Sequence, residues 1–386
     1  SDSLSESEYS TDCSSDGYLT EDDEEEISKD MLYKNYNGRY LILGYLGRGT
    51  FCRVWMVYDL QDNIFCAMKI FFNDSKKEAQ NEIENGVIKS DKIIRLLDNF
   101  IIDNQYYIVY ELLSFTLMDL LNKFQNISMA SKKIIVKKML MAIHELHKEN
   151  IVHCDLKPEN IMFKYKSKYI TFLEELKINE TYKNLINSNL PPNFEEFNKN
   201  KKKTYKKKIK KKCLKSLTNF IESKISEFEH SKNPLDEIKL DEIDNLELKL
   251  IDLGNSDRTY NHLDYEVNIR EYRPPENIMN ELFDDKADIW ALGCIVYEIF
   301  TDYVLFDLSG NRSENFKNRE HIYQMTEILG PIPSYLIDNC DFKDDIFNND
   351  GSVITSDKYG EYDSIDKLIN YCEIDEITKK NIIEFL

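Results

Sequence analysis

The chain has 386 residues, 70 acidic and 50 basic side chains, and a formal charge of −20. That length suits one large domain of two lobes with appendages. Its eight scattered cysteines, with no paired C-x-x-C, argue against a disulfide framework or a structural zinc and for a reducing compartment. No apolar stretch is long enough to span a bilayer and residue 1 begins no signal peptide, so a soluble monomer without membrane contact is expected, cytoplasmic with nuclear entry as a second option.

Residues 1–30 are rich in Ser, Asp and Glu, with Lys29 their only base and no apolar periodicity. With the residues up to 36 they read as a solvated tail. Ser5, Ser7, Ser14 and Ser15 stand near acids and are candidate phosphate acceptors. From Tyr40 the pattern turns to strands over 40–46, 54–59 and 65–71. The first turn is Leu46-Gly47-Arg48-Gly49-Thr50-Phe51-Cys52-Arg53-Val54. A glycine-bearing hairpin lets backbone amides lie over phosphates without a side-chain clash. Ala67-Met68-Lys69 then sets an ammonium beneath that hairpin, within reach of α- and β-phosphates.

Lys69 needs a carboxylate, and 76–89 reads as a helix offering Glu78, Glu82 and Glu84. Glu82 is preferred because Ala79, Ile83 and Val87 mark the inward face. Strands over 93–102 and 106–111 complete a small sheet, and Glu111-Leu112-Leu113 leads out of it, where backbone groups can grip an adenine edge. An amphipathic helix pattern (Ile134, Ile135, Met139, Leu140, Ile143, Leu146) precedes His153-Cys154-Asp155-Leu156-Lys157-Pro158-Glu159-Asn160. An acid, a lysine two residues on and an amide five residues on suit phosphoryl transfer: Asp155 accepts a hydroxyl proton, Lys157 neutralises a γ-phosphate oxygen, and the Asn160 amide oxygen holds a metal. An exposed turn of unrelated polar residues is the bland alternative.

Residues 164–247 are too long for a compact loop. Helices are expected over 171–186 and 214–228, with the lysine run 199–215 between them read as solvated and not as a fold element. The run is a nuclear-import or RNA-binding patch, a linker, or a segment that fills an acidic groove of the same protein. Beyond it, a strand over 248–251 delivers Asp252-Leu253-Gly254-Asn255, an acid at a strand end that supplies a second Mg²⁺ contact with Asn160. Arg270-Glu271-Tyr272-Arg273-Pro274-Pro275-Glu276 follows, and the apolar helix opening at Asp288-Ile289-Trp290 should be buried.

With these motifs in place, residues 37–386 resemble the eukaryotic protein-kinase family and, within it, the SR-protein kinases. Asn37-Gly38-Arg39-Tyr40, Gly47–Trp55, Ala67–Lys69, Ile251–Asn255 and the stretch 347–386 carry the likeness. The resemblance implies an α+β, bilobal fold: a β-rich N-lobe and hinge (37–113), a helical C-lobe (114–163 and 248–386, incomplete at its end) and a long spacer insertion (164–247). It implies an ATP- and Mg²⁺-dependent protein serine/threonine kinase. Leu46–Cys52, Val54, Ala67, Lys69, Glu82, the gatekeeper Tyr110, Glu111, Leu113 and Met162 would surround the nucleotide, and Asp288 would anchor the catalytic-loop backbone. Asp302, Glu320 and Glu327 match acids that dock Arg/Ser-rich protein substrates, carboxylate facing guanidinium, although Asn318 and Arg319 fall where acids are usual. Arg273 matches the arginine of the wider group holding cyclin-dependent, mitogen-activated and dual-specificity kinases.

Two rivals remain. Glu320–Pro331 partly echoes the LAMMER-type kinases, and the departures at Ile269 and Glu276 leave room for a weakly catalytic scaffold. Ile269 replaces a threonine that steadies Asp155 and Lys157. Cys154 replaces the arginine that binds an activation-loop phosphate, so activity without that phosphate is expected. Glu276 lacks its usual arginine, so the chain is either a shortened piece or finds Glu276 another partner.

Overall fold

The computed structural model describes residues 29–258, 267–279, 282–308, 313–356, 359–372 and 374–385. The serine-rich tail, with Ser5, Ser7, Ser14 and Ser15, and the middle of the segment between Gly254 and Glu276 lie outside them. The N-lobe is a six-stranded antiparallel sheet in the order β1-β2-β3-β4-β6-β5: β1 Asn35–Tyr36, β2 Tyr40–Arg48, β3 Cys52–Asp59, β4 Ile64–Phe71, β5 Leu96–Ile102 and β6 Gln105–Glu111. Strand alternation sends Tyr40, Ile42, Trp55, Val57 and Met68 to one face and Leu41, Leu43, Met56 and Tyr58 to the other. On the first face Phe100 stacks between Tyr40 and Tyr107, with ring centroids 5.6 and 4.9 Å away. Helix α1 (Lys76–Asn85) lies between β4 and β5 in the chain. It is shorter than its apolar pattern implied: Gly86 caps it, and Val87, beyond the end, is 68% exposed.

The C-lobe begins with β7 (Phe115–Thr116), α2 (Leu117–Lys123) and α3 (Met129–Lys148). Thr116 and Asp119 form a reciprocal cap for α2, and the Ser128 hydroxyl accepts from Ser131 N at the start of α3. Ile135, Met139, Ala142, Ile143 and Leu146 form the buried stripe of α3. Strand β8 (Ile151–Val152) opens the catalytic loop and β9 (Ile161–Lys164) closes it.

Strand β9 pairs with β10 (Glu247–Leu250) from Ile161↔Leu250 to Lys164↔Glu247. The intervening residues therefore leave and return at neighbouring strand ends, and a long insertion can hang there without disturbing the stem. Three helices fill it: α4 (Lys168–Glu175), α5 (Ile178–Ser188) and α6 (Lys199–Ser226). The helix expected over 171–186 is split by Lys177, whose φ of 46° breaks the backbone spiral.

The larger correction concerns the lysine run. It is helical and continues into the helix expected from 214, because Ile209, Cys213, Leu217 and Ile221 recur every fourth residue and are all buried. The Asn198 side chain caps the start, accepting from Lys201 N at 2.9 Å. Leu217 and Ile221 pack with Leu41, Leu43, Met56 and Tyr58, so an insertion rooted in the C-lobe covers the second face of the N-lobe sheet.

The rest of the C-lobe holds β11 (Asp257–Arg258), α7 (Lys286–Thr301), α8 (Glu314–Leu329) and α9 (Glu376–Phe385). Most of α7 is buried, as its apolar run implied. No helix among the described residues is long and apolar enough to cross a membrane, and the seven described cysteines are free thiols. Ile221 is fully buried between insertion and sheet. We expect Ile221→Ala to cost about 2–4 kcal/mol in urea-unfolding free energy, against less than ~0.5 kcal/mol for an exposed α6 position such as Ser216→Ala.

Candidate active site

The β2–β3 hairpin closes through Gly49 N donating to Cys52 O at 2.9 Å. Gly47 has φ +155° with open space where a Cβ would stand. Leu46 at the hairpin's base is 49% exposed, and burial pushes the Cys52 thiol up to about 12, so it stays protonated. Lys69 emerges from β4, two residues after Ala67 and opposite Val54 of β3. Its Nζ lies 2.6 Å from Glu82 Oε1 and 2.7 Å from Asp252 Oδ1. Burial alone would lower the Lys69 ammonium, but the Asp252 and Glu82 carboxylates outweigh it and hold the group above its ordinary value. Asp252 is held low by Lys69, against a burial that would raise it.

Tyr110 in β6 donates its hydroxyl to Glu82 Oε1 at 2.8 Å. Helix α1 also grips the segment after β10: Asn81 Nδ2 donates to Gly254 O at 2.8 Å and Ser256 O at 2.6 Å, and Asn85 Nδ2 to Ser256 O at 3.1 Å. Asn81 and Asn85 escaped the sequence reading. Their spacing of four, flanking Glu82 on the inner side of the helix, was the available signal.

The catalytic loop is held from beneath. Asp288, wholly buried at the start of α7, accepts from His153 N at 2.8 Å, Cys154 N at 3.1 Å and His147 Nε2 at 2.7 Å. Cys154 adopts φ +65° and is 2% exposed. Lys157 Nζ lies 2.9 Å from Asp155 Oδ2, and Asn160 Nδ2 donates to Asp155 O at 2.8 Å and Oδ2 at 3.1 Å. With that nitrogen facing Asp155, the Asn160 amide oxygen is turned the other way. Ile251 N donates to Asn160 O at 3.0 Å, tying the base of the loop directly to the backbone just before Asp252. The hairpin stem β9–β10 thus sets the spacing of Asn160 and Asp252.

Asn268, also missed in the sequence, performs a task that Ile269 cannot. Its N–H donates to Cys154 O at 2.8 Å and its side-chain oxygen accepts from Leu156 N at 2.9 Å. Ile269 is 41% exposed and takes no part in that bracket. Arg273 Nε donates to Val267 O at 3.1 Å, steadying the same turn.

Between the lobes, the Glu111 carboxylate faces inward to Lys249 at 2.8 Å, Lys164 at 3.1 Å and Arg95 N at 3.0 Å. These bonds hold it below its ordinary value although burial would raise it. Met162, partly buried in β9, pairs with Lys249 of β10. A cavity of about 750 Å³ is lined by Leu46, Glu111 and Leu113 and, from the insertion, Tyr169 and Ile170. It lies beside the cleft and touches none of Lys69, Asp155 or Asp252.

The three docking acids are less well gathered. Asp302 ends α7, exposed and 3.5 Å from Lys132. Glu320 is only 6% exposed in α8, and Glu327 is exposed two turns further along. Asn318 accepts from Arg270 Nη1 at 2.7 Å, and Glu314 pairs with the same guanidinium. Glu276, mostly buried, has no ion pair among the described residues, and burial pushes its carboxyl up.

Two predictions follow from these contacts. Asn268→Ala leaves the buried Leu156 N–H without its acceptor and should cost about 1–3 kcal/mol, with faster hydrogen exchange at that amide. An acid raised in the folded state is fully compatible with folding below its ordinary value of 4.5 and penalises the fold as pH climbs through its folded value. Glu276→Gln should therefore raise the urea midpoint at pH 7, a gain that fades towards pH 4.5.

The protein kinase domain family matches residues 40–179 and 236–381, skipping the middle of the insertion. The chain is 25% identical over 333 residues to the probable serine/threonine-protein kinase clkA of Dictyostelium discoideum, covering 81% of this chain but 29% of that protein. It is 27% identical over 336 residues to the serine/threonine-protein kinase SRPK of Physarum polycephalum, covering 82% and 73%. A putative serine/threonine-protein kinase of Acanthamoeba polyphaga mimivirus is 28% identical over 426 residues, covering 82% and 77%. With the motifs joined in one cleft and the match spanning both lobes, the chain belongs to the protein kinase domain family.

Proposed function

We propose that the chain is an ATP-dependent protein serine/threonine kinase whose preferred substrates carry Arg/Ser-rich segments. One observation carries the reading: Lys69, with Glu82 and Asp252 at 2.6 and 2.7 Å, stands across the same cleft from an Asp155 already hydrogen-bonded to Lys157 and Asn160. Lys69 orients the α- and β-phosphates of ATP under the β2–β3 hairpin. Asp155 receives the proton of the attacking hydroxyl, and Lys157 balances charge on the transferred phosphoryl group. The Asn160 amide oxygen and the Asp252 carboxylate would be the hard donors that hold Mg²⁺, which when bound would neutralise phosphate charge.

Support for an Arg/Ser-rich substrate comes from the named SRPK relative and from the exposed Asp302 and Glu327; the buried Glu320 weakens that groove. Relatives named as dual-specificity kinases match about as well, so peptide choice must decide. Activity should not need an activation-segment phosphate, since Cys154 offers no cation to hold one. Retention of Lys69, Glu82, Asp155, Asn160 and Asp252 together argues against a scaffold without catalysis.

Purified chain is expected to phosphorylate an Arg-Ser repeat peptide in preference to Pro-directed and acidic peptides. Asp155→Ala should lower kcat by roughly 10²–10⁴-fold, while phosphatase treatment leaves the parent rate unchanged. Equal or no transfer to the three peptides would return the scaffold reading, and loss of activity on phosphatase treatment would remove the Cys154 argument.

A further inference from the structure

Helix α6 is built against its own electrostatics. Eleven of the seventeen residues 199–215 are lysines, in a protein of net charge −20. Lys203, Lys207, Lys211 and Lys215 follow one another at successive turns along one face. Each like-charge pair at that spacing costs about 0.2–0.5 kcal/mol. The first turn has no acid and carries cations where the helix dipole is already positive. Among the described residues only Lys202 of the eleven has an ion pair, with Glu195. The buried stripe from Ile209 to Ile221 fixes the opposite side, so the cations project from a stiff rod. Such a face is electrostatically complementary to a polyanion.

The same chain contains one. Residues 1–28 hold eleven acids and no lysine or arginine, six of the acids in the unbroken block Glu21-Asp22-Asp23-Glu24-Glu25-Glu26. The tether is placed to deliver them. Tyr33 packs in the cluster formed by Leu217 and Ile221, and Glu222 is near enough to add to the upward push that burial gives its phenol. The acidic block thus lies 7–12 residues before a point fixed on α6, a reach of roughly 23–40 Å when extended. Lys206–Lys212 lies 10–16 residues back from Glu222 along the helix, roughly 15–24 Å at the α-helical rise. We propose that the acidic segment Glu21–Glu26 docks on the lysine face of α6 in the same molecule, in competition with other polyanions. Individual surface ion pairs contribute little, but several in parallel on a short tether act at an effective concentration near the millimolar range. Phosphate on Ser14 or Ser15 would add negative charge to the same tail. The proposal does not depend on the kinase reading.

Zero-length carbodiimide cross-linking of the full chain, followed by peptide mapping, tests it. Expected are amide links between peptides holding Glu21–Glu26 and Lys206–Lys212, found in the monomer, unchanged on dilution and lost at high salt. In parallel, a fluorescent single-stranded RNA is titrated into the parent and into a variant with the six acids replaced by Gln or Asn. Uncovering the lysine face should tighten RNA binding roughly tenfold. Absence of those links, links confined to dimers, or equal RNA affinity of parent and variant would each overturn the proposal. Circular dichroism of the variant checks that the fold is unchanged.

Discussion

The buried ammonium of Lys69 is the contact on which the cleft depends. It takes one carboxylate from α1 and one from the segment after β10, so three elements distant in the chain are fastened by one charge. A buried cation is tolerated only with such partners, and a carboxylate left behind would be equally costly. The fastening is reinforced by neutral bonds: Tyr110 to Glu82, and Asn81 and Asn85 to the backbone after Gly254. Gly254 belongs to this packing, since a Cβ there would stand 3.6 Å from Glu82 Oε2.

Below that charge, the catalytic loop is positioned by backbone capture. Asp288 accepts from the amides of residues 153 and 154, while Asn268 accepts from the amide of residue 156 and donates its own N–H to the carbonyl of residue 154, from α7 on one side and the activation segment on the other. No cation at position 154 is needed for the loop to be ordered. The departure at Ile269 is similarly absorbed by its neighbour, whose side-chain amide reaches the loop.

The insertion changes how the lobes relate. It hangs from a hairpin stem that also sets Asn160 and Asp252, yet its apolar face lies on β2 and β3. A region the family match omits is therefore packed against the lobe that carries the hairpin of the cleft. Its remaining surface, the lysine face of α6, is the strongest concentration of positive charge in an acidic chain.

The motif residues were legible in the sequence because each sits on a short local structure: the hairpin at Gly47–Val54, Lys69 on its strand, Asp155 to Asn160 in one loop, Asp252 after a strand. Choosing Glu82 over Glu84 was also possible, since helical spacing turns Glu84 away from the face of Ala79 and Ile83, whereas Glu78 shares the side of Glu82 and only the fold brings Lys69 to Glu82. The lysine run was misread because its helix is anchored by burial elsewhere: Leu217 and Ile221, beyond the run, pack on Leu41 and Leu43, more than 150 residues away in the chain. The bracketing role of Asn268, the α1 clamp by Asn81 and Asn85, and the burial of Glu320 were hidden for the same reason. Local spacing determines which side chains share a turn or a face; which backbone groups they meet, and whether a charge is covered or open to water, is settled only when distant segments pack.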